Sequence, residues 1–126
     1  MNRHTIFVYG SLLKGEPNHR HLASSTFLRS GRTSAGFSLL DMGAYPALVP
    51  GGTTRVAGEV YGVDDLTLAA LDRLEGHPHY YRRAPVVLED GASTETYLLV
   101  MDAKRRRVIE GGDWRLHHAP ARLIRP

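Results

Sequence analysis

Apolar and polar residues alternate in short runs along most of this chain, and one stretch carries the longer repeat of a helix. Thr5-Ile6-Phe7-Val8-Tyr9 is a β-rich run closed by Gly10-Ser11, and a polar stretch, Lys14-Gly15-Glu16-Pro17-Asn18, precedes a short helical turn predicted over Asn18 to Ala23. Phe27 to Leu40 holds apolar positions interrupted by Gly31 and Gly36, which predicts two short strands or one bent one. Met42 to Gly52, carrying Tyr45-Pro46-Ala47-Leu48-Val49-Pro50, reads as a loop because of its prolines and glycines. Arg55 to Val63 alternates, with Gly58 and Gly62 on one face. Two glycines on a single face predict a tightly curved sheet or a helix packed close against it.

The helix spans Leu66 to Glu75. Asp64 or Asp65 supplies its N-cap, Leu66, Ala70, Leu71 and Leu74 form an apolar stripe, and Gly76 followed by Pro78 ends it. Tyr80 to Leu88 and Thr94 to Met101 are strand-like runs joined by Glu89-Asp90-Gly91-Ala92, a hairpin with Asp-Gly as its turn signal. Past them the chain is polar, punctuated by Gly111-Gly112-Asp113-Trp114, and Arg115 to Pro126 reads as a short element or an ordered arm. Several short strands with one good helix do not alternate as βαβ units, so the pattern points to an α+β fold, a small mixed or antiparallel β-barrel.

The composition narrows the chemistry more than the architecture. With 126 residues there is room for one domain, residues 1–126, and 42% hydrophobic against 23% charged residues is the balance of an ordinary soluble globular chain. No apolar stretch approaches the ~20 residues of a spanning helix, and the short N-terminal run lacks the form of a signal peptide, so a cytoplasmic protein without membrane contacts is expected. Cysteine is absent, which removes thiolate nucleophiles, disulfides and cysteine-based metal sites. The net charge is +3, but the basic residues are almost all arginines spread along the chain, with one run at Arg105-Arg106-Arg107. That run reads as a solvated turn after a strand; no stacking aromatics accompany it, and no nucleic-acid partner is expected.

Two places could carry chemistry. In Val8-Tyr9-Gly10-Ser11-Leu12 a strand ends in glycine and a small hydroxyl residue, a geometry that lets backbone N–H groups approach an anion or a developing oxyanion; the plain alternative is a strand-ending turn. Glu75 borders the apolar stripe of the helix and sits in its last turn, where the macrodipole disfavours a carboxylate by about 0.3–1 kcal/mol. Such a group should have a raised pKa, as a neutral-pH general acid/base needs; the plain alternative is a surface glutamate at a frayed end. The pairs His19/His21, His77/His79 and His117/His118 suggest a metal, yet spacing specifies no third ligand, so no metal and no cofactor are expected. No Gly-x-Ser-x-Gly elbow supports a serine hydrolase.

Taken together, Phe7-Val8-Tyr9-Gly10-Ser11-Leu12 with Lys14-Gly15 and Asn18, Tyr45-Pro46-Ala47, Gly58-Glu59-Val60-Tyr61, Leu71-Asp72-Arg73-Leu74-Glu75-Gly76 with Pro78, Tyr81 and Arg82, and Gly112-Asp113-Trp114 resemble the γ-glutamylcyclotransferase-like proteins, particularly the small bacterial and γ-glutamylamine cyclotransferase branch. The resemblance implies a small mixed β-barrel flanked by helices, a substrate cavity at Tyr9, Gly10, Ser11 and Leu12 with Tyr81 beside it, and Glu75 as a single acid/base. It further implies release of 5-oxoproline from a small γ-glutamyl amine or peptide, a reaction in which the substrate's α-amine attacks its own γ-carbonyl and no protein nucleophile is required. The backbone at Gly10 to Leu12 would hold either the substrate's α-carboxylate or the oxyanion. A non-catalytic binding module of the same fold is the alternative.

Overall fold

The computed structural model describes residues 3–103 and 105–118. In chain order the elements are β1 (His4–Val8), a 3-10 turn (His19–Leu22), β2 (Thr26–Arg32), β3 (Phe37–Asp41), β4 (Pro46–Pro50), β5 (Ala57–Val63), α1 (Asp65–Glu75), β6 (Tyr81–Val87), β7 (Ser93–Leu99), β8 (Arg107–Val108) and α2 (Trp114–His118). The strands form one mixed sheet in the order β2-β5-β1-β7-β4-β3-β8, with β6 also on β7. β6 runs antiparallel along all of β7, from Tyr81 opposite Leu99 to Val87 opposite Ser93. The other edge of β7 is shared between two parallel neighbours: β1, with Ile6 opposite Glu95, and β4, with Leu48 opposite Leu98.

Curvature brings the far edges of this sheet together. Thr33, just past β2, bridges Leu88, just past β6, while Ser34 N–H donates to Val87 C=O (2.9 Å) and Glu89 N–H to Arg32 C=O (2.9 Å). The result is a half-barrel, closed at one end, with few helices, as the alternating pattern and the glycines predict. Gly58 shows how the curvature is accommodated: a Cβ there would lie 2.3 Å from the Val8 carbonyl oxygen and 2.5 Å from the Phe7 ring, so only glycine permits β1 and β5 to approach. The neighbour that needs this space is a phenyl ring of the sheet itself, not a helix. Ile6, Phe7, Leu39, Leu48, Val56 and Leu71 are fully buried in the core beneath it.

Three expectations need revision. Pro46 to Pro50 is a strand, not a loop: β4 pairs with β3 from Phe37–Pro50 to Asp41–Pro46, its prolines standing at the first and last positions, where a missing N–H breaks no interior ladder bond. The apolar stripe of α1 is also turned from the predicted one. Leu68 and Leu71 are buried, whereas Leu66 is 83% and Leu74 39% exposed; Asp64 is the N-cap, accepting a bond from Thr67 N–H at 2.8 Å. Finally, the polar tail holds the short strand β8, in which Arg107 pairs with Asp41; Arg105 and Arg106 form the exposed turn before it. Of the arm predicted over Arg115 to Pro126, residues 115–118 belong to α2, and 119–126 lie outside the described residues. No helix among the described residues is long and apolar enough to cross a membrane.

Candidate active site

The site forms where β1 leaves the sheet. β1 ends at Val8 while β4 and β7 continue, so their backbone groups need other partners. The Tyr9 hydroxyl supplies them, donating to the Tyr97 carbonyl at 2.6 Å and accepting from the Leu48 N–H at 3.3 Å. Burial, with Tyr81 and Glu75 nearby, holds the Tyr9 phenol well above its ordinary pKa, so it serves as a neutral bridge between strands and its ring lines the cavity that opens there.

The chain then turns sharply. Leu13 N–H closes a turn onto Gly10 C=O at 3.0 Å, and the two central amides of such a turn, here Ser11 and Leu12, are left without an internal acceptor. None of the described residues accepts from either. Gly10 is required because a Cβ would stand 2.6 Å from Pro46 Cγ, which fixes the loop directly against the start of β4. Asn18 ties the loop's return, its side chain donating to Ser11 Oγ (3.0 Å) and its N–H to Ser11 C=O (2.9 Å). Beneath the loop lies Glu59, a buried carboxylate that takes bonds from Lys14 N–H (3.0 Å), the Tyr61 hydroxyl (3.0 Å) and Arg115 (3.3 Å). Arg115 also donates to Lys14 C=O (3.0 Å), and Trp114 Nε1 donates to Glu16 (3.1 Å), so α2 grips the loop from outside.

Glu75 reaches the same cavity from α1. It follows Leu68 and Leu71 at i+7 and i+4, so it shares the face that those leucines bury against the barrel. Gly76, left-handed at φ 67°, then ends the helix. No described residue donates a hydrogen bond to the Glu75 carboxylate. Burial alone raises its pKa from 4.5 to about 7, and its surroundings are phenols. Tyr81 donates to Pro46 C=O at 3.1 Å, Tyr45 and Tyr80 share a hydroxyl–hydroxyl bond of 2.6 Å, and Tyr97 donates to Asp72 at 2.7 Å. Asp72 is in turn held by both arms of Arg83 (3.0 and 3.2 Å), which also contacts Glu95 at 3.1 Å. Burial would push the Asp72 carboxyl up, but bonds from Arg83 and Tyr97 outweigh it and keep its pKa low. One carboxylate is thus fixed as a structural anion, and the other is left free to take a proton.

The cavity enclosed by these elements has a volume of about 220 Å³. Tyr9, Gly10, Ser11, Leu12, Glu75 and Tyr81, the residues singled out in the sequence, all line it. Tyr80, in the segment between Glu75 and Tyr81 that the sequence places at the cavity rim, lines it as well, without His77 or His79; Tyr45 and Tyr97 were missed as wall residues, because only tertiary pairing distinguishes them from ordinary strand aromatics. Glu59 carried one usable signal, a charged residue inside an otherwise apolar alternating strand. The histidine pairs lie elsewhere: His19 bonds Leu12 C=O, His77 accepts from Arg83 N–H, His117 meets Asp41 and His118 meets Glu16. No group of three metal-ligating side chains occurs among the described residues.

A mixed half-barrel with few helices, with the Tyr9–Leu12 loop and Glu75 lining one small cavity, has the fold of the γ-glutamylcyclotransferase-like proteins. The chain belongs to the gamma-glutamyl cyclotransferase, AIG2-like family, whose sequence profile matches residues 6–116. A Vibrio cholerae relative, itself only provisionally named a gamma-glutamylcyclotransferase, is 42% identical over 112 residues, 89% of this chain and 96% of its own. Human gamma-glutamylaminecyclotransferase is 40% identical over 99 residues, 69% of this chain and 65% of its length. The solved structure of a mouse AIG2-like protein superposes with a TM-score of 0.80 at 28% identity, covering 88% of this chain and 87% of that one.

Proposed function

We propose that the protein releases 5-oxoproline from a small γ-glutamyl amine or peptide, with Glu75 as the acid/base. The observation that carries this reading is the Glu75 carboxyl, free of hydrogen bonds among the described residues, held near a pKa of 7 by burial, in the same cavity as the unpaired amides of Ser11 and Leu12. At neutral pH such a group is present in both protonation states, the condition for taking and returning a proton within one turnover.

The substrate carries its own nucleophile. Ionised Glu75 accepts a proton from the α-ammonium group, and the freed amine attacks the γ-carbonyl, forming the ring C–N bond and a tetrahedral oxyanion. When the oxyanion collapses, the bond to the departing nitrogen breaks as protonated Glu75 returns the proton to it; the second surplus proton, left on the ring nitrogen, passes by way of the regenerated Glu75 carboxylate to the expelled amine, which leaves as an ammonium ion beside 5-oxoproline. The Ser11 and Leu12 N–H groups hold an anionic oxygen of the substrate, its α-carboxylate or the developing oxyanion. The cavity's role is conformational. Its ~220 Å³ lies below the roughly 300–1,000 Å³ of pockets for drug-sized ligands, so it suits one amino-acid-sized acyl group folded on itself, and holding the reacting ends together is a large part of any intramolecular acceleration. Tyr9 and Tyr81, whose hydroxyls are committed to backbone carbonyls, act as walls.

The test is 5-oxoproline release from a panel of γ-glutamyl compounds by the wild type and Glu75→Gln. The glutamine variant should fold and lose at least about a hundredfold in kcat. Undiminished activity in folded Glu75→Gln removes this reading, and tight binding without product by the wild type would favour a non-catalytic binding module.

A further inference from the structure

We infer that the amine expelled from this site is apolar or aromatic, because the part of the cavity that must receive it is walled by Leu74, Tyr45 and Tyr80, with Glu75 the sole charged side chain among the described lining residues. The inference deepens the proposed cyclisation and rests on it.

The location of the leaving group follows from the chemistry. The departing nitrogen must come within hydrogen-bond reach of Glu75, the group that returns its proton, so the substituent it carries lies against the neighbours of Glu75. Those neighbours differ in burial. The floor of the cavity, including Phe7, Val8 and Tyr97, is fully buried, whereas Leu74 and the half-buried Tyr45 and Tyr80 stand at the rim. Leu74 is the residue before Glu75 and remains 39% exposed. Tyr80 is drawn over the helix end, its Cβ only 3.1 Å from where a Cβ on Gly76 would stand. Its hydroxyl is joined to that of Tyr45 at 2.6 Å, linking the β3–β4 turn to the entrance of β6.

This rim selects by chemistry. Glu75 is the only charged side chain lining the cavity among the described residues, and it is occupied with the proton transfer. A leaving amine bearing an ammonium would therefore lose water at the rim without gaining a counter-charge, and a carboxylate would meet only Arg106, an exposed cation whose field reaches Tyr80 and whose pairing contributes about 0–1 kcal/mol. An alkyl or aryl group, by contrast, would cover the open face of Leu74 and meet the edge or face of the Tyr80 ring, which already packs edge-on against Tyr81 at a centroid distance of 5.0 Å. One phenol donates to the other, so the donor left at the rim is a single O–H on the half-buried accepting tyrosine.

The experiment compares kcat/KM for 5-oxoproline release from γ-glutamylphenethylamide, γ-glutamyl-ε-lysine and γ-glutamylglutamate. The phenethylamide should exceed each charged substrate by about tenfold or more, the scale on which small apolar contacts discriminate. Leu74→Asn, a change at a partly exposed rim position, should pull that ratio toward one, and Leu74→Met should keep it. Equal or faster turnover of either charged substrate overturns the inference, as does a ratio that Leu74→Asn leaves unaltered. Absence of 5-oxoproline from all three compounds is a separate result, which removes the cyclisation itself and the inference with it.

Discussion

Replacing Glu75 with glutamine should stabilise the protein more at pH 8 than at pH 5, and the size of the difference can be worked out from the burial of one carboxyl. The folded protein holds Glu75 at about 7, against 4.5 for the free side chain. A carboxyl whose pKa is raised on folding binds its proton more tightly in the native state, so its contribution to stability is complete below the unfolded value and is lost as pH rises through the folded one. At about 1.4 kcal/mol per unit, the whole window amounts to about 3 kcal/mol, of which about 1 kcal/mol is already gone at pH 5; about 2 kcal/mol separates pH 5 from pH 8. Glutamine has no proton to lose. Whatever its amide costs in an apolar wall is the same at both pH values and cancels in the comparison. Urea unfolding of wild type and Glu75→Gln at pH 5 and pH 8 gives the double difference directly, and it should favour glutamine by about 2 kcal/mol at the higher pH, or on the order of 8 °C in Tm. A gap that stays constant within about 0.5 kcal/mol would refute the claim that burial of Glu75 sets its proton affinity. If the gap appears together with loss of activity, the carboxylate is held in place at the expense of fold stability, as a group retained for chemistry should be.

Three further outcomes follow from the same geometry. In the pH dependence of kcat/KM, ionised Glu75 as the base predicts a rate that rises below pH 7 and levels off above about 7; a limb centred near 4.5, the ordinary glutamate value, would place the essential carboxyl elsewhere. Gly10→Ala puts a methyl 2.6 Å from Pro46 Cγ, so the loop must move away from β4, costing about 1–3 kcal/mol of stability and most of the activity; calorimetry with 5-oxoproline release checks both. Glu59→Ala leaves the Lys14 N–H and the Tyr61 hydroxyl without their shared acceptor and should destabilise by about 2–3 kcal/mol in urea titrations, whereas Glu59→Gln, which keeps an acceptor oxygen there, should cost less than half as much.

Much of this protein was legible along the chain wherever local physics decides. β1, β5, α1 and the β6–β7 hairpin are dictated by alternation, by the Asp64 cap and Gly76 stop, and by an Asp-Gly turn, all of which act within a few residues. Glu75 could be singled out for a related reason: a carboxylate bordering an apolar stripe at a helix C-terminus conflicts with its surroundings in one dimension already, and such conflicts gather at functional sites. The pairing of Tyr45 with Tyr80 over the cavity, in contrast, has no trace in the local pattern.

What the tertiary structure alone decided is which face and which neighbour. The stripe of α1 had to be rotated from Leu66 to Leu68, because a helix buries the side its partner covers, and that partner comes from distant strands. Pro46 to Pro50 looked like a loop until β3 and β7 supplied the ladder bonds that its prolines do not interrupt. Tyr9 acquires its role only because β1 stops where β4 and β7 go on, leaving a carbonyl and an N–H for its hydroxyl to join. Tyr45 and Tyr80, 35 positions apart, become one wall through a single bond between hydroxyls. The sequence by itself determined the elements and the odd carboxylate, since propensity, capping and periodicity are local. The cavity and the proton affinity of Glu75 depend on desolvation and contact between remote segments, and these exist only once the barrel has closed.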